Sequence, residues 1–297
     1  MKKDYYLGLS KEGFHRIAYT EWGSSTTNKR PIICVHGLTR NKHDFDPLAA
    51  YLSQQGYHLF CPDIVGRGES SWLKDATSYS FEQYAADMST LIARTHANDI
   101  DWIGTSMGGI IGMMLASMPG TPIRRLILND IGAQIPIKGL SRLATYVNSN
   151  PTFTSLEEAK SYFKKIYAEF GPLTDQDWQR LTENSIRNIG RKQWGLNLDH
   201  RITLTPAKSK LLWQCLMNPH KALEGTFFDI DLWHIWHQIT CPVLIIHGEQ
   251  SDILLSSIIK KMQISHTNTD VLSIPQAGHA PALFDSFQHH AIHQWLK

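Results

Sequence analysis

A serine with glycine two residues before it and two after it is the strongest chemical signal in this 297-residue sequence. The segment Gly104-Thr105-Ser106-Met107-Gly108 has the form G-x-S-x-G, follows a short apolar run and opens a stretch of helical spacing. That context is typical of a nucleophile elbow, a strand-to-helix turn that exposes a serine hydroxyl above a sheet. The turn is so tight that both flanking positions must lack side chains, and the serine backbone is strained. We therefore predict that Ser106 is a catalytic nucleophile and not a solvated turn serine.

A serine alcohol is a poor nucleophile, so this chemistry needs further groups around Ser106. An adjacent base must accept its proton, and two backbone N–H groups must stabilise the oxyanion of the tetrahedral intermediate. One donor should be the amide of Met107, which directly follows the nucleophile and lies at a helix amino end. The sequence holds fifteen histidines, so residue type alone does not single out the base.

Short apolar runs alternate with segments of helical spacing in the first and last parts of the chain. The runs that we predict to be strands are 4–8, 14–20, 31–35, 57–61, 100–103, 123–128, 241–246 and 270–274. The segments that we predict to be helices in these parts are 46–55, 81–96, 254–263, a small-residue helix after Gly109 that ends at Met118, and a final helix from 281. Alternation of this kind predicts an α/β fold, a mostly parallel eight-stranded sheet with helices on both faces.

The alternation stops between residues 133 and 235, where the sequence is polar and aromatic. Helical spacing at 155–170, 174–188 and 206–216 predicts a helical cap insertion over 133–235, between two core parts at 1–132 and 236–297. The insertion follows the strand at 123–128, at the carboxyl edge where such sheets bind ligands. Its aromatic residues favour a partly apolar acyl pocket. They are Trp178, Trp194, Trp213, Trp233, Phe153, Phe163, Phe227 and Phe228.

Composition narrows the class of protein and the partners that we expect. Apolar residues make up 42% and charged residues 19%, which is typical of a globular chain. The net charge is +2 without a concentrated basic face, so we expect no nucleic-acid partner. No apolar run approaches eighteen residues, so we expect no membrane span, and we expect a cytoplasmic location. The four cysteines form no C-x-x-C pair, so no zinc or redox motif is indicated, and we expect no metal or organic cofactor. The expected partner is a small-molecule substrate. The oligomeric state is left open.

Five sequence pieces in a fixed order carry a resemblance to a known family. The sequence resembles the α/β-hydrolase superfamily, in its capped esterase, lactonase and non-haem-haloperoxidase-like branch. The resemblance covers residues 31–130 and 240–285, and residues 133–235 stand where the family has its cap. The matching pieces are His36-Gly37-Leu38, 63–70, 104–109, 248–252 and Gly278-His279.

The resemblance implies a catalytic triad of serine, acid and histidine. His279, after the strand at 270–274, is implied as general base, and Asp252, after the strand at 241–246, as the acid that orients it. Asp130 is the alternative acid, since some relatives place the acid after the strand that corresponds to 123–128.

Three further positions are candidates for supporting the site, and the resemblance implies two of them, Leu38 and Arg67. The second oxyanion donor is implied to be the amide of Leu38. Arg40 could contact a substrate carboxylate, with a solvated loop as the favoured interpretation of its position. Arg67, in the 63–70 turn, is implied to brace the loop near the elbow.

These residues predict a serine hydrolase that cleaves a small or medium, partly apolar carboxylic ester, thioester or lactone through an acyl-Ser106 intermediate. One alternative is C–C bond hydrolysis of ring-cleavage products, but relatives of that kind usually carry tryptophan after the histidine, where this chain has Ala280. An acyltransferase or perhydrolase, and a non-enzymatic ligand receptor on the same fold, are the remaining alternatives.

Overall fold

The computed structural model describes residues 1–24, 29–202 and 229–297. Its strands, numbered in chain order, are β1 (Lys2–Ser10), β2 (Gly13–Trp22), β3 (Ile32–Val35), β4 (Leu59–Pro62), β5 (Ile100–Thr105), β6 (Ile123–Asn129), β7 (Gln134–Ile135), β8 (Thr152–Phe153), β9 (Ile186–Gly190), β10 (Gln193–Leu196), β11 (Ile230–Asp231), β12 (Val243–Gly248) and β13 (Thr269–Ile274). Its α-helices are α1 (Asp46–Gln54), α2 (Phe81–Arg94), α3 (Met107–Ala116), α4 (Ile137–Val147), α5 (Leu156–Ile166), α6 (Asp175–Ser185), α7 (Trp233–Trp236), α8 (Ser256–Ser265) and α9 (Ser286–Leu296). Single 3₁₀ turns lie at Lys42–Phe45, Ala76–Ser78 and Ala168–Phe170.

Eight strands form one sheet in the order β1-β2-β4-β3-β5-β6-β12-β13. The hairpin of β1 and β2 is antiparallel and β2 pairs antiparallel with β4, whereas every later pair in the sheet is parallel. All residues of β3 and β12 are buried, as expected of central strands covered on both faces. The prediction of a mostly parallel eight-stranded α/β sheet is confirmed.

The helices are short, and α2 illustrates how an amphipathic helix packs against the sheet. The fourteen-residue α2 begins after Ser80, whose side chain accepts a hydrogen bond from the Gln83 amide, and it buries Tyr84, Met88 and Leu91 against the core. Among the described helices, none is both long and apolar enough to cross a membrane.

The order of the strands decides which loops meet. Strands β5, β6, β12 and β13 are neighbours and run parallel, so the loops after them leave the same edge of the sheet. Backbone hydrogen bonds join these exits: the Ser106 amide donates to the Asn129 carbonyl at 2.9 Å, and the Asp130 amide donates to the Ile246 carbonyl at 2.8 Å. Residues that are far apart in sequence therefore lie side by side at this edge.

The segment from residue 133 to 235, called the inserted segment below, contributes no strand to the main sheet over its described part. It contains α4 to α7 and a three-stranded antiparallel sheet in the order β8-β10-β9, with its own apolar cluster around Phe163 and Trp178. Helices lie at the predicted 155–170 and 174–188, but the chain leaves α6 as a strand at Ile186, and the short strands were not predicted. The predicted helix at 206–216, Trp213, Phe227 and Phe228 lie outside the described residues.

Candidate active site

The turn between β5 and α3 has the geometry of a nucleophile elbow. Ser106 has φ +50° and ψ −112°, a strained conformation for a residue with a side chain. A Cβ atom on Gly104 would lie 2.3 Å from the Gly108 backbone, and one on Gly108 would lie 2.0 Å from the Val35 carbonyl oxygen. Both positions therefore admit only glycine, which is the physical reason for the G-x-S-x-G spacing.

Ser106 and His279 lie in hydrogen-bond contact. His279, in the loop after β13, is buried, and its Nε2 atom lies 2.8 Å from the Ser106 hydroxyl oxygen. Its Nδ1 atom lies 2.8 Å from a carboxylate oxygen of Asp130. Because an N–H at Nδ1 donates to the carboxylate, Nε2 is left to accept the serine proton. The structure thus brings together the two residues predicted as nucleophile and base.

The acid that contacts His279 is Asp130, so the prediction that Asp252 fills this position is wrong. The Asp252 carboxylate instead forms a two-pronged ion pair with Arg142 of α4, at 2.6 and 2.7 Å. The reason is the direction of one loop: after β12, the hydroxyl of Ser251 points at Asp130, and the next side chain points away to the inserted segment. Asp130, the alternative of the sequence analysis, occupies the acid position.

Asp130 is completely buried and is held by several donors. The Gly248 amide donates to one carboxylate oxygen at 2.9 Å, and the Ser251 hydroxyl donates to the other at 2.5 Å. The His247 Nδ1 atom lies 3.5 Å from the first oxygen. Burial would raise the pKa of Asp130, but His247, His279 and Ser251 outweigh it and hold the pKa below its usual value. The carboxylate therefore stays ionised beside the imidazole.

The inserted segment holds the loop that carries His279. The Glu169 carbonyl accepts a 2.7 Å hydrogen bond from the Gly278 amide, and the Phe170 carbonyl accepts one of 3.1 Å from the Ala282 amide. The Glu169 carboxylate pairs with Arg142 at 2.9 Å. Glu169 and Arg142 carry no sequence motif, so the sequence analysis missed them.

The two predicted oxyanion positions flank the elbow. Met107 is the first residue of α3, where amide groups have no partner within the helix. Leu38 lies in the turn that follows β3, and its carbonyl accepts a 3.0 Å hydrogen bond from Arg67. The next residue, Thr39, contacts the Tyr167 hydroxyl of the inserted segment at 2.8 Å.

His36 supports the start of the loop after β3, residues 36–40, from inside the protein; this loop is called the oxyanion loop below, after the predicted role of Leu38. Its Nδ1 donates to the Gly37 carbonyl at 2.7 Å, and its Nε2 accepts from the Ile64 amide at 3.0 Å. Burial lowers the pKa of His36 to about 4, so the ring is neutral at pH 7. Protonation of His36 would place an N–H at Nε2 directly opposite the Ile64 N–H, and the hydrogen bond between them would be lost. This geometry gives His36 a structural role.

Arg40 is buried, and the interpretation of its loop as solvated is wrong. Its guanidinium pairs with Asp44 at 2.6 and 2.9 Å, donates to the Ser185 hydroxyl at 2.7 Å and lies over the Tyr167 ring. Ser185 at the end of α6 and Tyr167 both reach this loop. The Arg40 N–H groups therefore donate to protein groups and not to solvent or to a substrate carboxylate.

The turn at residues 63–70 is built around a buried carboxylate. Asp63 accepts hydrogen bonds from the amides of Lys42 and Glu69, each at 2.8 Å, and pairs with the Lys42 ammonium at 2.6 Å. Gly68 has φ +53°, and a Cβ there would lie 2.3 Å from the Asp63 carboxyl group. This turn thereby ties the oxyanion loop to the chain after β4.

The arrangement has the parts that acyl transfer requires. Ser106 can attack a carbonyl while His279 takes its proton, and Asp130 can stabilise the resulting imidazolium. The amide groups at the start of α3 can face the negative oxygen that forms.

Comparison with known proteins agrees with this geometry. Residues 30–286 match a family model described as alpha/beta hydrolase fold. A 3-hydroxybutyrate-oligomer hydrolase of Cupriavidus necator is 38% identical over 283 residues, which cover 94% of this chain and 92% of that protein.

Solved structures show the same relationship. A crystal structure of a Rickettsia typhi protein is 34% identical with a TM-score of 0.86, and the match covers 100% of this chain and 99% of that chain. An alpha/beta hydrolase from Novosphingobium aromaticivorans is 28% identical with a TM-score of 0.81, covering 99% of this chain and 97% of that chain. The chain belongs to the alpha/beta hydrolase fold family and is a hydrolase.

Proposed function

We propose that this hydrolase is a serine esterase that acts through an acyl-Ser106 intermediate. One observation carries the proposal: the Ser106 hydroxyl, the His279 imidazole and the Asp130 carboxylate form a chain of two 2.8 Å contacts. A buried carboxylate that accepts the Nδ1 proton keeps the imidazole in the tautomer that can act as a base.

In the acylation step, the Ser106 oxygen forms a bond to the ester carbonyl carbon while its proton moves to Nε2 of His279. The carbonyl oxygen becomes an oxyanion, which the Met107 amide at the helix end and the Leu38 amide in the loop after β3 stabilise in this proposal. The tetrahedral intermediate then releases the alcohol, which takes the proton from His279. A water molecule deprotonated by His279 hydrolyses the acyl-enzyme and restores the serine.

We propose that the physiological substrate is a short ester of a hydroxy acid, such as an oligomer of 3-hydroxybutyrate. The support is the Cupriavidus necator relative of that name, which is similar over nearly the full length of both chains. An oligomer of this acid is a linear chain of carboxylic esters, and ester cleavage is the reaction to which a triad of this type is suited.

We also propose that residues 133–235 form a cap over the site. Three contacts of the described part support this role. Tyr167 reaches the oxyanion loop at Thr39, Ser185 reaches Arg40, and Glu169 holds the loop of His279. A segment that contacts loops on both sides of Ser106 is well placed to exclude water from an acyl pocket.

The test uses the purified full chain, its Ser106→Ala variant and a matched Ser117→Ala control. Ser117 follows the other end of α3, where its hydroxyl donates to the Met114 carbonyl. We would measure labelling by a fluorophosphonate, turnover of p-nitrophenyl butyrate, and release of monomer from the linear dimer and trimer of 3-hydroxybutyrate.

We expect labelling and turnover in the wild type and in Ser117→Ala, and loss of both in Ser106→Ala. Absence of labelling in folded wild-type protein would refute the serine mechanism. Turnover of p-nitrophenyl butyrate with no cleavage of either oligomer would keep the esterase and reject the hydroxy-acid substrate.

A further inference from the structure

Arg67 contacts both residues that are predicted to stabilise the oxyanion. Its guanidinium is completely buried, and its Nε donates to the Leu38 carbonyl at 3.0 Å. Its Nη2 lies 3.6 Å from the Met107 sulfur. One rigid, planar group therefore spans the oxyanion loop and the first residue of α3, the two elements whose amides must point at the same substrate oxygen.

The other partners of this guanidinium are neutral. Nη1 donates to the Val65 carbonyl at 2.8 Å and to the Tyr84 hydroxyl at 2.9 Å, and the group lies 5.0 Å from the centre of the Tyr84 ring. Among the residues that the structure describes, no carboxylate lies within 4.0 Å of Arg67. Two other buried cations do have ionic partners: Arg40 pairs with Asp44, and Lys42 pairs with Asp63.

A buried charge without an ionic partner is costly to the folded state. The same low-dielectric surroundings strengthen its field at nearby atoms, so it favours negative charge that appears close by. In acyl transfer such charge appears on the substrate oxygen beside the amides of Leu38 and Met107.

We propose that Arg67 is a positioning residue that aligns both oxyanion donors and whose uncompensated positive charge stabilises the oxyanion. This inference rests on the proposed esterase function. It goes beyond bracing of a loop, because a brace would act equally on bound substrate and on the transition state. Arg67 should act on the transition state alone.

The test compares Arg67→Lys, which keeps the charge, with Arg67→Gln, which keeps a hydrogen-bond donor without charge. Arg94→Gln is the control, because Arg94, the last residue of α2, also donates to a tyrosine hydroxyl, that of Tyr19 at 2.9 Å, and it pairs with Asp4 of β1. Thermal unfolding checks that each variant is folded, and kcat and KM are measured with p-nitrophenyl butyrate.

The second readout is inhibition by butylboronic acid. Its boron forms a bond to the Ser106 oxygen while the serine proton moves to His279, and the four-coordinate boron carries the negative charge of a transition-state analogue. Butyrate, the acid product, serves as a ligand that forms no such bond.

We expect Arg67→Gln to lower kcat by about 10²-fold, comparable to loss of an oxyanion donor, and to weaken butylboronic acid by a similar factor. KM and butyrate inhibition should change by less than about threefold, since they report ground-state binding. Arg67→Lys should recover at least tenfold of the lost kcat, and Arg94→Gln should behave as the wild type.

Three results would overturn the inference. They are a kcat in Arg67→Gln within threefold of the wild type, equal weakening of butyrate and of butylboronic acid in that variant, and equal kcat in the Lys and Gln variants. If Arg67→Gln does not fold, the ratio of boronic acid affinity to butyrate affinity in Arg67→Lys decides. A ratio within about tenfold of the wild type supports the inference, and a ratio lower by about 10²-fold refutes it. If butylboronic acid does not inhibit the wild type, the esterase proposal itself fails.

Discussion

Replacement of Asp130 by asparagine removes the negative charge that faces His279 and leaves the shape of the side chain. The oxygen lost accepts from His279 Nδ1 at 2.8 Å and from the Ser251 hydroxyl at 2.5 Å. An amide NH₂ in its place would oppose the Nδ1 proton, so the imidazole would move its proton to Nε2 and could no longer accept one from Ser106. We expect kcat to fall by about 10³- to 10⁴-fold, as for amide replacement of a triad acid in general.

Asp252→Asn is the matched variant. It makes the same change from carboxylate to amide at the residue that pairs with Arg142 and not with His279. The Asp252 and Arg142 side chains are 34% and 33% exposed. A pair exposed to this extent is worth roughly 1 kcal/mol or less. We therefore expect kcat of Asp252→Asn to stay within about fivefold of the wild type.

The assay is steady-state hydrolysis of p-nitrophenyl butyrate at pH 8, with thermal unfolding to show that both variants are folded. KM should change little in either, because neither carboxylate is free to bind substrate. A larger loss in Asp252→Asn than in Asp130→Asn would refute the assignment of the acid. Loss of less than tenfold in Asp130→Asn would show that the buried carboxylate does not orient His279.

Three further predictions concern the supports of the site. His36 has a pKa of about 4, so the unfolded chain binds more protons as pH falls below about 6.5; stability should be full above that pH and decline by about 3 kcal/mol toward pH 4. Denaturant unfolding should show a smaller decline in His36→Gln, and equal declines would contradict this reasoning. Gly108→Ala, whose Cβ would lie 2.0 Å from a carbonyl oxygen, should lose about 3 kcal/mol of unfolding free energy, whereas Gly120→Ala, with open space and φ +75°, should lose about 1 kcal/mol. Ser251→Ala should lower kcat about tenfold at constant KM, since it removes one donor to Asp130; an unchanged kcat would show that this donor is dispensable.

Much of the fold was predictable because its signals are local. Continuous apolar runs of four to seven residues are typical of central strands, and their alternation with segments of helical spacing predicted the parallel sheet. The G-x-S-x-G spacing was equally informative, since the clash at Gly108 depends only on the turn and the adjacent strand β3. The short strands β8 to β10 were not predictable in this way, because most of their residues are not buried and form no continuous apolar run.

The identity of the acid is what local signals could not determine. Asp130 and Asp252 both follow strands that lie next to each other in the sheet, so chain order and position allow either one to reach His279. Which carboxylate contacts His279 depends on side-chain direction. The Ser251 hydroxyl points at Asp130, whereas Asp252 pairs with Arg142, which lies more than a hundred residues earlier in the chain.

The sequence by itself determined the nucleophile candidate, the base candidate and the sheet that carries them, because tight turns and strand burial are encoded over a few residues. Only the tertiary structure decided that Asp130 contacts the base, that Glu169 holds its loop and that Arg67 lies between Leu38 and Met107. The physical reason is that hydrogen bonds and ion pairs between distant segments depend on directions and distances of a few ångströms, which spacing along a chain does not specify.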